Sequence, residues 1–257
     1  MTISADIDDR MALGVGTIIG DSFSIFFKHL IPIALMAFVP ILLSLLVSST
    51  LIGFDAALGT GTPEFSSSIG LGAWGIAIVL QVSFYSLVTA LLVQLAYDAK
   101  LGRTIQLGRY VASAIRAAIP IAILSTIAGL VIGIATLALI IPGLWAYAVF
   151  SMIAPAVVIE RVGFGGLGRS INLTKNYRWP ILGVVILIGI IVAIFNFIAG
   201  FAASLTIGSG QIMAALAYLI PSALGAGLSG VSIALTYARL REIKEGVSVD
   251  QIALVFD

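Results

Sequence analysis

The chain has 257 residues, 60% of them hydrophobic and 10% charged, with a mean hydropathy of +1.18. Ordinary soluble domains are about 45–50% apolar and about 25% charged, so a water-soluble globular fold is excluded. The formal net charge of +1 conceals a strongly polarised distribution, and the lack of cysteine excludes disulfides, thiol nucleophiles and cysteine metal sites.

Residues 1–10 carry Asp6, Asp8 and Asp9, with no basic stretch ahead of a short apolar run, so they do not read as a cleaved signal. Six apolar runs follow, near 31–53, 73–97, 119–140, 143–160, 181–204 and 212–237, the fourth being the shortest. Each approaches the roughly 20 residues that a helix needs to cross a hydrocarbon core of about 30 Å. Helices are required, because a strand edge facing lipid would leave backbone N–H and C=O groups unpaired. The chain is therefore expected to be an all-α integral membrane protein with six transmembrane helices, forming a single membrane domain over residues 1–257.

All thirteen Lys and Arg residues fall on one side of this six-span trace. Arg10 and Lys28 precede the first run; Lys100, Arg103, Arg109 and Arg116 lie between the second and third; Arg161, Arg169, Lys175 and Arg178 lie between the fourth and fifth; Arg239, Arg241 and Lys244 follow the sixth. The opposite connections, roughly 55–72, 141–143 and 205–211, hold no cation, and their only acids are Asp55 and Glu64. Cationic excess in short loops marks the cytoplasmic face, which predicts that both termini are inside.

Three prolines, Pro32, Pro120 and Pro180, each follow a glycine by twelve residues: Gly20, Gly108 and Gly168. Between glycine and proline the polar positions recur at helical spacing, as Thr17, Asp21, Ser24 and Lys28 and again as Gln106, Arg109, Ser113 and Arg116. Val15, Ile18, Ser22, Phe26 and Leu30 occupy the opposite face of the first copy, and Leu107, Val111 and Ile115 that of the second. Such stripes predict three amphipathic helices lying in the cytoplasmic interface. Each proline is then expected to mark the turn into the membrane, because its missing N–H costs nothing in a first helical turn. The units, roughly 10–98, 105–160 and 166–245, all start on the same side, which predicts a threefold parallel repeat of helix-hairpin units. Ile141-Pro142-Gly143 is expected to form nearly the whole of the middle outer connection. Beyond the sixth span the helix is expected to run on to Glu245 and stop at a left-handed Gly246. A short tail helix over 246–257 is predicted from Ser248 and Gln251, spaced as a capping box.

Little in this chain supports catalysis. His29 is the sole histidine, without the carboxylate companions that a general base or metal site requires. Asp98 and Glu160 sit at the inner ends of the second and fourth spans, where pairing with Lys100, Arg103, Arg161 or Arg169 accounts for them. Within the bilayer Gln81, Ser83, Ser86, Thr89, Gln94, Ser125, Thr126, Thr136 and Asn196 are polar. Interhelical hydrogen bonding is the simpler reading of this set; a polar pathway through Gln81, Gln94, Asp98 and Asn196 is the other. Gly225, Gly227, Ser229 and Gly230 in the sixth span permit close helix approach. No metal site, cofactor or nucleic-acid surface is expected.

The most polar stretch runs from Gly168 to Trp179. Lys28, Arg109, Arg116, Arg169, Lys175 and Arg178 are candidates to hold phosphate oxygens of lipid headgroups, with Tyr110, Tyr177 and Trp179 as interfacial anchors. Retention of the cations by the positive-inside rule alone is the competing reading.

The same stretch carries a resemblance. Residues 160–179, with the core R-S-x-x-L-T-K-x-x-R-W, are similar to the bacterial membrane-domain family found ahead of some glycerophosphoryl diester phosphodiesterase catalytic domains. Ile141-Pro142-Gly143-Leu144, Ala154-Pro155-Ala156-Val157-Val158-Ile159-Glu160 and the segment from Tyr237 to Gly246 support it. Family members commonly carry Gly where this chain has Asn176, which argues against a tight turn there. The resemblance implies a stand-alone multi-helix module in the bacterial cytoplasmic (inner) membrane, without the soluble catalytic barrel. The expectation is a non-catalytic scaffold or accessory subunit binding phospholipid, a membrane-protein partner or a second copy of itself. The alternative is a transporter or channel for a small or lipidic solute.

Overall fold

A computed structural model describes residues 12–62 and 68–247. Among these residues the chain is all-helical, and six helical segments are long and apolar enough to cross a membrane. Helix α1 spans Val15–Lys28, α2 Leu30–Ile52, α3 Phe54–Ala57, α4 Ser68–Lys100 and α5 Leu107–Ala138. Helix α6 spans Ile140–Phe150, α7 Ile153–Glu160, α8 Gly166–Thr174, α9 Arg178–Thr206 and α10 Gln211–Glu245. The six crossings are α2, α4, α5, the α6–α7 pair, α9 and α10. Their outward faces stay apolar: Leu137 is 90% exposed, Ile212 79% and Phe197 75%. Such a surface suits a hydrocarbon solvent.

Helices α4, α5, α6, α9 and α10 pack in that cyclic order around a central space, and α2 lies outside the ring against α4 and α10. Helix α10 approaches α2 closely. A Cβ added at Gly227 would stand 2.6 Å from Ile33 Cγ2, and Ile33 is fully buried. In lipid no hydrophobic force draws helices together, so small residues that let backbones close on one another carry this packing.

The glycine-proline units do not share one local structure. Pro32 and Pro180 are each the third residue of a helix, after breaks at His29 and at Lys175 to Tyr177. Pro120, by contrast, lies inside the unbroken α5, so the expected turn into the membrane is absent from the middle unit. The reason is local. Where the other copies have His29 and Tyr177, this one has Ala117, the strongest helix former. The face of α5 packed on the protein is Tyr110, Ala114 and Ala117, whereas Leu107, Val111 and Ile115 point away from it.

Other expectations also shift. The fourth crossing is two helices, separated at Ser151 and Met152, with Pro155 in the first turn of α7. The middle outer connection is the extended residue Leu139 alone; Ile141, Pro142 and Gly143 already belong to α6. Gly143 makes so short a hairpin possible, because a Cβ there would collide with Thr136. Asn176 adopts φ 71°, so the left-handed turn is kept with asparagine, one of the non-glycine residues that tolerates it best. Gly246 ends α10 at φ 66°, its N–H donating to the Glu242 carbonyl. The predicted tail helix, from Ser248 onward, lies outside the described residues.

Replacing Gly227 by Ala forces Ile33 or the helix to move and is expected to cost about 2 kcal/mol, whereas Gly133→Ala, which meets open space, is neutral or stabilising by up to about 1 kcal/mol. Thermal unfolding midpoints of the two variants in one detergent check the order.

Candidate functional site

Every described Lys and Arg lies toward one end of the bundle, and so do all described acids except Asp55. There they form two connected clusters. In the first, the Asp98 carboxylate at the end of α4 is 1% exposed. It accepts from Arg109 Nη2 at 2.8 Å and from the Tyr110 hydroxyl at 2.6 Å, both on α5. The Tyr110 oxygen in turn accepts the Gln106 N–H at 3.0 Å, fixing the start of α5. Nearby, Lys100 pairs with Asp21 of α1 at 3.0 Å, a more exposed contact.

In the second cluster, Glu160 ends α7 and joins it to α8 and α10. Arg169 Nε donates to both of its oxygens, at 2.8 and 2.7 Å, and the Tyr237 hydroxyl donates to Oε1. Arg169 Nη2 also donates to Glu245, which accepts from Arg241 Nε at 2.9 Å. Burial alone would lower the pKa of Arg169, but Glu245 and Glu160 outweigh it and hold the pKa above its ordinary value. Lys244 closes α10 onto α8 by donating to the Asn172 carbonyl at 2.9 Å. Each buried carboxylate thus meets a fixed guanidinium, as ionised groups at a membrane boundary must.

The sequence-predicted site residues fall into distinct sets. Arg109 and Arg169 are engaged by carboxylates, and Arg178 stacks over the Trp145 ring at 4.5 Å. Lys28, Arg116 and Lys175 are exposed and form no ion pair among the described residues. Trp179 projects outward at 71% exposure, and Tyr177 lies half-buried beneath Lys244. Tyr110 is fully buried and serves Asp98, so it is not an interfacial anchor. Asp98 pairs with Arg109, while Lys100 pairs with Asp21. Sequence reasoning did not single out Tyr237, Arg241 and Glu245 as a site, although the four-residue spacing of Arg241 and Glu245 was a usable signal.

The bilayer polar residues bond mostly within their own helices, not between them. Ser83, Ser86, Thr89, Thr136 and Asn196 each donate to the carbonyl four residues earlier, and Ser83 with Thr126, 3.2 Å apart, bridges α4 and α5. Short hydroxyl and amide side chains can satisfy themselves on their own helix in this way. The proposed pathway residues also separate. Gln81 and Asn196 line the central space, but Gln94 and Asp98 do not.

That space is a cavity of about 710 Å³ inside the helix ring, bounded among others by Tyr85, Ser125, Tyr147, Val184, Ile188, Ser229 and Thr236. A second cavity of about 690 Å³ adjoins it toward the opposite end of the bundle, between α2, α3, α4, α9 and α10. Gln81 and Asn196 line both. Neither lining contains a charged side chain. Among the described residues no group of His, Cys, Asp or Glu could hold a metal ion. No family model, curated protein or solved structure matches the chain.

Asp98→Asn breaks the ion pair of a carboxylate that is 1% exposed with a guanidinium that is 24% exposed and is expected to lower stability by about 2 kcal/mol, whereas Asp21→Asn at the exposed pair costs less than about 0.5 kcal/mol. Unfolding titrations in mixed micelles compare them. His29 gives a pH-dependent check. Burial and then the Lys28 ammonium lower its pKa below the ordinary 6.5. The unfolded chain therefore takes up the proton first, and the stability held above pH 6.5 declines as pH falls through that value. His29→Gln should flatten this decline in the unfolding midpoint.

Proposed function

We propose that the protein is a non-catalytic accessory or scaffold subunit of the bacterial cytoplasmic membrane. Its charged end faces the cytoplasm and docks anionic phospholipid headgroups and a membrane-protein partner. One observation carries this reading. At that end exposed cations without ion-pair partners sit beside exposed apolar side chains: Lys28 with Phe27, Arg116 with Ile115, and Lys175 four residues from Trp179. A cation over an apolar ring or chain is the chemistry of the headgroup region, where the phosphate lies above the acyl chains. Cations held only to neutralise protein carboxylates would look like Arg109 and Arg169 instead.

In this reading α1, the first turns of α5, and α8 form the interfacial elements of a threefold parallel arrangement. The transport alternative is favoured by one feature, the end-to-end placement of the two cavities at Gln81 and Asn196, but the ionisable member of the expected pathway, Asp98, lies outside both.

Removing Lys28, Arg116 and Lys175 together is expected to weaken the retention of anionic phospholipid by about 3 kcal/mol, since each well-placed cation contributes about 1 kcal/mol. Native mass spectrometry of the full chain reads the loss. A wild-type chain that retains neither phospholipid nor protein partner overturns the proposal. Because the chain has no cysteine, single cysteines at the exposed positions Arg116 and Lys175 report sidedness directly. Both should react with an impermeant maleimide from the cytoplasmic side; labelling from opposite sides would refute the topology.

A further inference from the structure

The cytoplasmic-end chemistry leaves the two cavities unexplained. The inner one runs along α9 from Ile181 to Asn196, on the order of 22 Å at about 1.5 Å rise per residue. Its volume lies within the range of sites that bury small organic ligands, about 300–1,000 Å³. Its wall is not uniform. Toward Ile181 it is formed by Val184, Ile188, Met152 and Ile153 together with Ser232 and Thr236, whose hydroxyls are already bonded to their own helix, whereas Gln81 and Asn196 mark the other extremity, where the second cavity begins.

Two details point to an occupant. Ser125 lines the inner cavity, is 3% exposed, and its hydroxyl has no hydrogen-bond partner, unlike the Ser and Thr residues around it that bond to their own helices. A buried hydroxyl without a partner is costly unless something else supplies the bond. Secondly, the wall includes Ile186 and Ile190, which are 40% and 54% exposed. The cavity is therefore open sideways beside α9, toward hydrocarbon. A ligand that arrives through such an opening partitions into lipid.

We propose that the paired cavities bind a neutral, long-chain amphiphile: an uncharged head with hydrogen-bonding oxygens at Gln81, Asn196 and Ser125, and a hydrocarbon chain along Val184 and Ile188. The lack of any charged side chain in either lining selects against a phosphate or ammonium head, because a bare ion there would be desolvated without a counter-charge. This site is separate from the basic end that would hold anionic headgroups.

The test uses the full chain in nanodiscs with a monoacylglycerol carrying a diazirine in its acyl chain, compared with lysophosphatidic acid bearing the same chain. The neutral probe should crosslink to residues 181–192 on the cavity side of α9 and be displaced by unlabelled monoacylglycerol. Gly189→Trp fills a cavity-lining position where an added Cβ meets nothing, and should abolish this labelling without unfolding the chain. The double variant Gln81→Leu with Asn196→Leu, which does not overpack, should reduce it about tenfold, the loss expected for two hydrogen bonds. Labelling confined to the lipid-facing Leu187 and Ile194, or unchanged by both variants, would overturn the site. Equal labelling by the anionic probe would overturn the assignment of a neutral head. Reaction of a cysteine placed at Ser229 with an impermeant aqueous thiol reagent would instead make the cavity a wet path, and would also overturn it.

Discussion

The exclusion of unpaired charge from hydrocarbon organises this molecule. Asp98, which is buried, and Glu160, which is partly buried, end membrane helices, and each is held by a guanidinium and a tyrosine hydroxyl from a neighbouring element. These contacts do more than neutralise. Arg109 and Tyr110 set where α5 leaves α4, and Arg169, Tyr237 and Arg241 tie α7, α8 and α10 into one end plate. Once that plate is assembled, the register of the crossings relative to one another is set at the charged end, and the remaining length of each helix is free to satisfy packing alone.

Packing along that length is uneven, and the unevenness has consequences. Where α10 meets α2, Gly227 lets Ile33 approach its backbone, and the contact is dense. Where the ring closes between α6 and α9, contact is limited, although Arg178 reaches across from α9 to Trp145 of α6. The cavities occupy the loosely filled interior that this arrangement leaves. Polar side chains inside the bundle mostly turn back onto their own helices, so they contribute little to holding helices together, and Ser125 is left as an exception. A bundle joined by ions at one end and by small residues along one flank can retain an internal void without losing its shape.

The basic end and the interior therefore have different chemistries. Exposed Lys28, Arg116 and Lys175 beside Phe27, Ile115 and Trp179 suit a surface of anionic headgroups. The uncharged cavity lined by Gln81, Asn196 and Ser125 suits a neutral molecule dissolved in the membrane. An accessory subunit that senses or presents a lipid to a partner would need both features, one to hold its position against the bilayer and one to select the ligand.

The six crossings and the gathering of cations at one end were legible in the residues themselves, because each depends on a property that runs along the chain: apolar length against bilayer thickness, and the placement of Lys and Arg between runs. Gly246 as a helix stop was legible for the same reason, being a local backbone preference. Other features required the folded chain. Pro120 resembles Pro32 and Pro180 in spacing, but only the fold shows that its helix continues, since a missing N–H is tolerated where neighbouring helices support the backbone. Asp98 selects Arg109 over the nearer Lys100 because α5 returns beside α4, while Lys100 turns to Asp21 of α1. Gln94 falls outside the cavity that Gln81 enters, although both lie on one helix. Which faces meet is decided by volumes and charges on helices distant in sequence, so ion-pair partners and the interior void belong to tertiary structure, whereas apolar span length and the gathering of cations at one end belong to the chain.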